Sequence, residues 1–268
     1  MKKIYRIIRA VHLPAEAACL FKRAANGYKH IIDLGEKNGV KMIAHRGLSA
    51  LNRENTVASF KAAAKENYFG IETDVHLTAD GKYVIIHDDF TGRVSNVNVP
   101  IETSTLDKIQ AVRLKPKNGD TSDEGTTIPM LTDYISVCKD GGKIAVLELK
   151  NHFDEKYIVE IIDIIKGMGY LENMVFISFD WENCLTLRKL GKDFKIQLLS
   201  ARYDKKLVKH LAEHGFALDV YYRDLTKKRI KYLHDNGVEV NCWTVDNARD
   251  AKRLIKNGVD FITTNVLV

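Results

Sequence analysis

The 268-residue chain is predicted to fold as a (β/α)8 TIM barrel, an α/β architecture, with a small insertion and an N-terminal helical extension. Three observations lead there. Short apolar runs alternate with helical patterns from residue 42 onward, which implies a parallel sheet with crossover helices. There are eight such runs, enough to close a ring. Histidines, carboxylates and other polar residues fall toward the C-terminal ends of those runs, the face on which barrels carry chemistry. An open doubly wound sheet is the alternative, but no Gly-x-Gly-x-x-Gly follows the first run.

The first forty residues precede the barrel. Ile4, Ile7, Ile8 and Val11 make one helical face and Lys2, Arg6 and Arg9 another. Pro14 then opens a second helical run through Ala25. Packing on the barrel is the expectation for this extension, and a basic amphipathic helix lying on a membrane is the alternative. Strands are expected at Met42–His45, Gly70–Asp74, Lys143–Leu149, Met174–Ser178, Lys195–Leu199, Ala217–Tyr221, Glu239–Trp243 and Phe261–Thr264. Helices are expected at Asn55–Glu66, Leu131–Lys139, Asp154–Met168, Trp181–Leu190, Lys205–His214, Leu225–Asn236 and Asn247–Asn257. The last strand is followed by four residues, too few for an eighth helix, so Ala15–Ala25 is expected to fill that slot between the first and last strands. The domain reading is therefore an extension over 1–40 and a barrel over 41–268, with an insertion at about 91–128 rich in Asn, Asp, Ser, Thr and Gly.

The stretch from His45 to Asp88 is the richest in chemistry. Gly70 to Leu77 alternates like a strand, so Glu72 and Asp74 face the same side. Ala79-Asp80-Gly81 signals a turn, and Tyr83–His87 reads as the returning arm of a hairpin. A turn centred between Ala79 and Asp80 would set His87 opposite Glu72.

At these residues the chain resembles the glycerophosphodiester phosphodiesterase family. The matching motifs are His45-Arg46-Gly47, Glu54-Asn55-Thr56, Glu72-x-Asp74, His87-Asp88, Leu147-Glu148-Leu149-Lys150, Ser178-Phe179, Trp243-Thr244-Val245 and Gly258-Val259-Asp260-Phe261-Ile262-Thr263. They occur in the family order, from about residue 41 to the C-terminus. Arg53 stands where the family often has Pro, Asp246 where Asn is common, and Asn265 where Asp is common. These departures bear on substrate choice and local support, not on the expected metal or proton-transfer positions. The resemblance implies hydrolysis of a glycerophosphodiester to sn-glycerol 3-phosphate and an alcohol, with His45 and His87 flanking the scissile bond as acid and base, in either order.

The chemistry fits those residue types. A phosphodiester is an anion with a poor alkoxide leaving group. Its hydrolysis needs charge neutralisation, a proton acceptor and a proton donor. Glu72, Asp74 and Glu148 offer three hard oxygen ligands, a set that favours one Mg²⁺ or Ca²⁺ over zinc. Arg46 and Lys150 can neutralise the phosphate, and Lys150 lies two residues from Glu148, on the same side. Trp243 lines the alcohol pocket or plugs the barrel mouth. Glu54 orients Arg46 or a substrate hydroxyl, or is a first-turn carboxylate of the helix that follows.

Composition narrows the alternatives. Hydrophobic residues make up 45% of the chain, enough for a large core, and the formal charge is a modest +6. No basic array with interleaved aromatics is present, which argues against nucleic acid as a partner. Cys19, Cys138, Cys184 and Cys242 are widely spaced, without a zinc pattern. Arg6 and Arg9 interrupt any secretory signal, so a reducing cytoplasm is expected, with membrane-peripheral placement through the N-terminal helix as the variant reading. Three functions remain: a small-molecule glycerophosphodiesterase, a relative that cleaves lysophospholipids, and a catalytically inactive diester-binding protein. The intact His45, His87, Glu72, Asp74 and Glu148 argue against the last.

Overall fold

A computed structural model describes residues 28–268. Eight parallel strands form a nearly closed barrel: β1 (Lys41–Ala44), β2 (Gly70–Leu77), β4 (Ile144–Leu149), β5 (Met174–Ser178), β6 (Lys195–Ser200), β7 (Ala217–Tyr221), β8 (Val240–Trp243) and β9 (Phe261–Thr264). The ladders run unbroken from β8 back through β1 to β9. Where β8 meets β9, two backbone bonds bridge the gap, Asp260 N to Val240 O at 3.0 Å and Val245 N to Thr263 O at 3.0 Å.

A parallel barrel buries both faces of every strand, which is why these segments read as almost continuous apolar runs. Alternate residues divide between two layers. Ile43, Val146, Val175, Ile177, Leu199, Trp243 and Phe261 fill the interior. Their neighbours Met42, Ala44, Ala145, Leu147, Phe176, Leu198, Val240 and Ile262 face the surrounding helices. Those helices are α1 (Val57–Ala64), α4 (Leu131–Asp140), α5 (Glu155–Gly167), α6 (Trp181–Leu190), α7 (Lys205–His214), α8 (Lys227–Asp235) and α9 (Ala248–Asn257). In α9, Asn247 caps the first turn by accepting from the backbone N–H groups of Arg249 and Asp250. Gly258 ends it at φ +87°, a left-handed conformation that favours glycine. Ala251, Leu254 and Ile255 make its buried stripe.

The hairpin exists, but its register differs from the expected one. β3 (Tyr83–Ile85) pairs Val75 with Ile85, His76 with Val84 and Leu77 with Tyr83. The turn therefore centres on Asp80, one half-step later than expected. The cause is a three-residue loop: Thr78 N bonds Lys82 O at 2.8 Å, and Gly81 takes φ +72°. The ladder ends before His87, so that residue is not the cross-strand partner of Glu72.

The segment between the hairpin and α4 folds around its own small core. Val94, Ile101, Ile109, Val112, Leu114 and Ile128 pack with Val84 and Ile86. It carries two short helices, α2 (Leu106–Gln110) and α3 (Asp123–Thr126). The two expected N-terminal helices lie outside the described residues. Just after them, Ile32 bridges Leu267, and Leu34 N bonds Val268 O at 2.8 Å. Cys138, Cys184 and Cys242 are buried and free, and Cys19 lies outside the described residues.

Candidate active site

The site is assembled at the C-terminal ends of β1, β2 and β4. Across the β2–β4 ladder Asp74 pairs directly with Glu148. Ala44 pairs with Ile71, so Glu72 stands level with His45 just past the end of β1. The spacing inferred from strand alternation holds: one oxygen from each of Glu72, Asp74 and Glu148 lies within 4.8 Å of the others, and all three residues are buried.

Such crowding of like charge is costly unless balanced. Burial and the neighbouring Asp74 push Glu72 well above the usual carboxylate range. Glu148 is pushed up to about 7 by burial and Asp74, against the pull of Lys150. Asp74 behaves oppositely: burial is outweighed by His87, Lys150, Arg46 and an Asn55 hydrogen bond, which hold it well below its ordinary value. Its Oδ1 is buried with no hydrogen-bond partner among the described residues. Three hard oxygen donors, one with an oxygen that accepts no hydrogen bond and two pushed toward retaining their protons, fit a divalent cation.

Two cations flank the triad. Lys150 Nζ lies 2.8 Å from Glu148 Oε1 and 3.5 Å from Asp74 Oδ1. Arg46 Nε lies 3.5 Å from Asp74 Oδ2, and its Nη1 donates to Glu54 Oε1 at 2.7 Å. The backbone N–H of Arg46 donates to Glu72 Oε2 at 2.9 Å. That contact needs an unusual turn, with Arg46 at φ +54° and Gly47 at φ +76°. A Cβ at Gly47 would sit 2.6 Å from the carbonyl carbon of Ser59, so only glycine fits there.

His45 and His87 both keep part of their rings open to solvent. His45 Nε2 is 4.0 Å from Glu72 Oε2, and its Nδ1 is 2.8 Å from Asn265 Oδ1. His87 Nδ1 is 2.6 Å from Asp88 Oδ1. Enclosure and Arg46 push His45 down to about 3. Enclosure, Arg46 and Lys150 push His87 down to about 4.

A buried acidic triad flanked by Lys150 and Arg46, with two neutral histidines at its rim, is suited to hydrolysing an anionic ester. Residues 45–267 match the glycerophosphoryl diester phosphodiesterase family. The chain belongs to that family. Over 84% of its length it is 32% identical to the glycerophosphodiester phosphodiesterase of Caldanaerobacter subterraneus subsp. tengcongensis, covering 93% of that protein. It is 26% identical to the glycerophosphodiester phosphodiesterase of Bacillus altitudinis over a similar 84%, covering 94% of that protein. Among solved structures, a glycerophosphodiester phosphodiesterase from Parabacteroides distasonis superposes with a TM-score of 0.70 at 27% identity, covering 86% of this chain and 94% of that one. A phosphodiesterase from Oleispira antarctica shares the fold with a TM-score of 0.77 at 23% identity, covering 84% and 93% of the two chains. The enzyme is thus a phosphoric diester hydrolase.

The remaining expected site residues divide. Glu54 accepts from Arg46 and, through both oxygens, from Arg93. Thr56 is the N-cap of α1, so Glu54 precedes the helix, and the first-turn reading is set aside. Trp243 is 7% exposed, packs with the inner apolar layer, and meets Phe179 and Tyr221 at ring centroid distances of 5.8 Å each. Ser178 accepts from Asp180 N and donates to Leu149 O, tying strand ends together.

Several supporting residues escaped the sequence reading. Asn55, at φ +55°, accepts from Thr73 Oγ1 and donates to Asp74 Oδ2 at 2.7 Å. Its place inside Glu54-Asn55-Thr56 was the available signal. Arg93, from the insertion, joins Glu54 to Asp88. His76 Nδ1 lies 2.9 Å from Glu102 Oε1, and its Nε2 lies 3.3 Å from the carbonyl oxygen of His87. No local pattern marks Arg93 or Glu102, because their partners are brought in by the fold.

Proposed function

We propose that the enzyme hydrolyses small glycerophosphodiesters to sn-glycerol 3-phosphate and an alcohol, with a divalent cation on Glu72, Asp74 and Glu148. The observation that carries this reading is the convergence of three buried carboxylates within 4.8 Å, one with an oxygen that accepts no hydrogen bond among the described residues, beside Arg46 and Lys150. When bound, the cation supplies Lewis-acid polarisation of the phosphate and replaces the protons that the crowded carboxylates otherwise retain. The Oleispira antarctica phosphodiesterase of the same fold is in complex with its product sn-glycerol-3-phosphate, which supports the product side of the reading.

The chain's own residues do the rest. Arg46 and Lys150 bind the nonbridging phosphate oxygens and neutralise their charge. His45 and His87 move the two protons, one taken from attacking water and one given to the leaving alkoxide. Both rings are neutral at pH 7 in the cation-free protein. An anionic phosphodiester between Arg46 and Lys150 adds negative charge beside them and pushes both titrations upward, so that one can hold the proton it must deliver. Trp243, with Phe179 and Tyr221, forms an aromatic wall suited to the alcohol half of the substrate.

No observation favours a lipid substrate over a small one. The insertion's apolar side chains are largely consumed in its own core, and among the described residues the large apolar side chains left exposed are Phe90 and Val97. Turnover of glycerophosphocholine and of lysophosphatidylcholine, each with Mg²⁺, Ca²⁺ or excess chelator, tests the reading. Cation-dependent release of glycerol 3-phosphate from the small diester is expected. Full activity in chelator, or preference for the lysolipid, overturns it. A crystal soaked in either cation should show an ion at about 2.0–2.6 Å from the three carboxylates.

A further inference from the structure

We propose that Asp246 and Asn265 form a positioning relay that fixes the tautomer of His45, holding its proton on Nδ1 and leaving Nε2 as the working nitrogen. The inference rests on His45 being a proton-transfer group. It goes beyond that reading in naming the nitrogen that works and the two residues that select it.

The relay begins at Asp246, 7% exposed and therefore sensitive to how its oxygens are matched. Asp246 Oδ1 accepts from the backbone N–H of Asn265 at 2.7 Å and from Thr264 Oγ1 at 3.2 Å. Asp246 Oδ2 accepts from Asn265 Nδ2 at 2.6 Å. All three neighbours donate, the pattern a carboxylate accepts; burial raises Asp246 above the ordinary carboxylate value, and these bonds and Lys117 oppose that rise. The carboxylate thus grips both the backbone and the side chain of one residue. Flipping the Asn265 amide would turn its carbonyl oxygen onto the Asp246 carboxylate, so a single orientation is stable.

That orientation aims Asn265 Oδ1 the other way. It accepts from Ser49 Oγ at 2.6 Å and faces His45 Nδ1 at 2.8 Å. Asn265 is 6% exposed and Ser49 is 4% exposed, so water competes little for these bonds. An amide oxygen has lone pairs and no hydrogen. A 2.8 Å contact to it requires the proton on Nδ1. In neutral imidazole the lone pair then sits on Nε2, the nitrogen 4.0 Å from Glu72 Oε2 and turned toward the carboxylate triad. A ring in the other tautomer would present a lone pair to the Asn265 oxygen and an N–H to the site, the wrong arrangement for taking a proton there.

The test combines ring-nitrogen spectroscopy with kinetics on the full chain. In ¹⁵N-histidine-labelled protein, with His45 signals assigned by their loss in His45→Gln, wild type should show a pyrrole-like Nδ1 and a pyridine-like Nε2. Asp246→Ala frees the Asn265 amide to flip. It should give mixed tautomers at His45 and lower kcat by roughly 10–100-fold, the usual loss when a partner that orients a working histidine is removed. KM for glycerophosphocholine should change little, because both residues are buried and reach the site only through His45. The paired exchange of Asp246→Asn with Asn265→Asp keeps one amide, one carboxylate and an acceptor toward His45. It should restore the Nδ1–H tautomer and most of the lost kcat. If Asp246→Ala fails to fold, the wild-type spectrum and the paired exchange still decide. An Nε2–H tautomer in wild type overturns the proposal, as does a loss of kcat with no tautomer change. If the spectra behave as expected while wild type turns over no glycerophosphodiester, the relay stands and the functional reading falls.

Discussion

His45 and His87 sit at the rim of the site, where losing a ring costs chemistry more than packing. His45→Ala and His87→Ala should each lower turnover by roughly 10²–10⁴ while the unfolding temperature moves little. Near wild-type turnover in either variant would remove that histidine from the mechanism. Arg46→Lys should also weaken catalysis although charge is kept, because an ammonium cannot reproduce the guanidinium fork that holds Glu54 and, in the proposed mechanism, binds a phosphate. Equal kinetics would reduce Arg46 to a distant charge. The triad makes a pH-dependent prediction. Glu148, raised to about 7 from an ordinary 4.5, binds its proton more tightly folded than unfolded. Its contribution to stability is therefore complete below pH 4.5 and lost as pH rises through 7. The histidines, lowered to about 3 and 4, pull the opposite way below pH 6.5, so the total curve mixes both signs. The difference between cation-loaded and chelated protein isolates the triad. Added Mg²⁺ or Ca²⁺ should raise the melting temperature more at pH 8 than at pH 5, because at pH 5 the cation must displace protons. An equal increment at both values would place the cation elsewhere.

The loop from β1 to α1 does the most work per residue among the elements. Between Ala44 and Val57 it presents His45, Arg46 and Glu54 and sets Asn55 against Asp74. It can do so because Gly47 lets the chain turn where Ser59 leaves no room for a Cβ. Gly47→Ala should cost about 1–3 kcal/mol or more in stability, from the clash and from φ +76° together, and should reduce activity as the Arg46 N–H leaves Glu72. A variant that melts and turns over like wild type would mean the loop readily takes another path. The hairpin shows a different element-scale lesson. Its strands were readable from apolar alternation, yet the register depended on whether the loop held two residues or three. That choice was settled by Gly81 and by Thr78 closing on Lys82.

For the whole molecule, ring closure is the open mechanical problem. The ladder path breaks between β8 and β9, and the chain outside the barrel reinforces the neighbouring ground. Ile32 bridges Leu267, Leu34 bonds Val268, and Tyr28 Oη donates to the Asp246 carbonyl at 3.1 Å. Removing residues 1–37 strips these contacts from the segment that carries Asn265. We expect the melting temperature to fall by at least ~2–4 °C, the shift that about 1 kcal/mol produces at this size, with increased aggregation. A truncated protein that melts like the full chain would favour the membrane-anchor reading of the first helix. Among the described residues, no helix is long and apolar enough to cross a membrane.

The alternation of apolar runs and helical stripes was enough to read a barrel, because backbone periodicity is local and burial on both faces leaves a plain signature. The carboxylate triad was legible for the same reason: a two-residue spacing on a strand sets Glu72 and Asp74 on one side, and strand order brings Glu148 beside them. Glu54 could not be assigned from its neighbours, since its helix begins two residues later than the pattern implied and its partner Arg93 arrives from the insertion. The same holds for Asp246 and Asn265. In the chain they read as two isolated departures from a family pattern. In the folded protein they are one hydrogen-bonded unit behind His45. Strand and helix identity depend on near neighbours. Hydrogen-bond partnership between side chains 19 and 220 residues apart depends on the closure of the barrel.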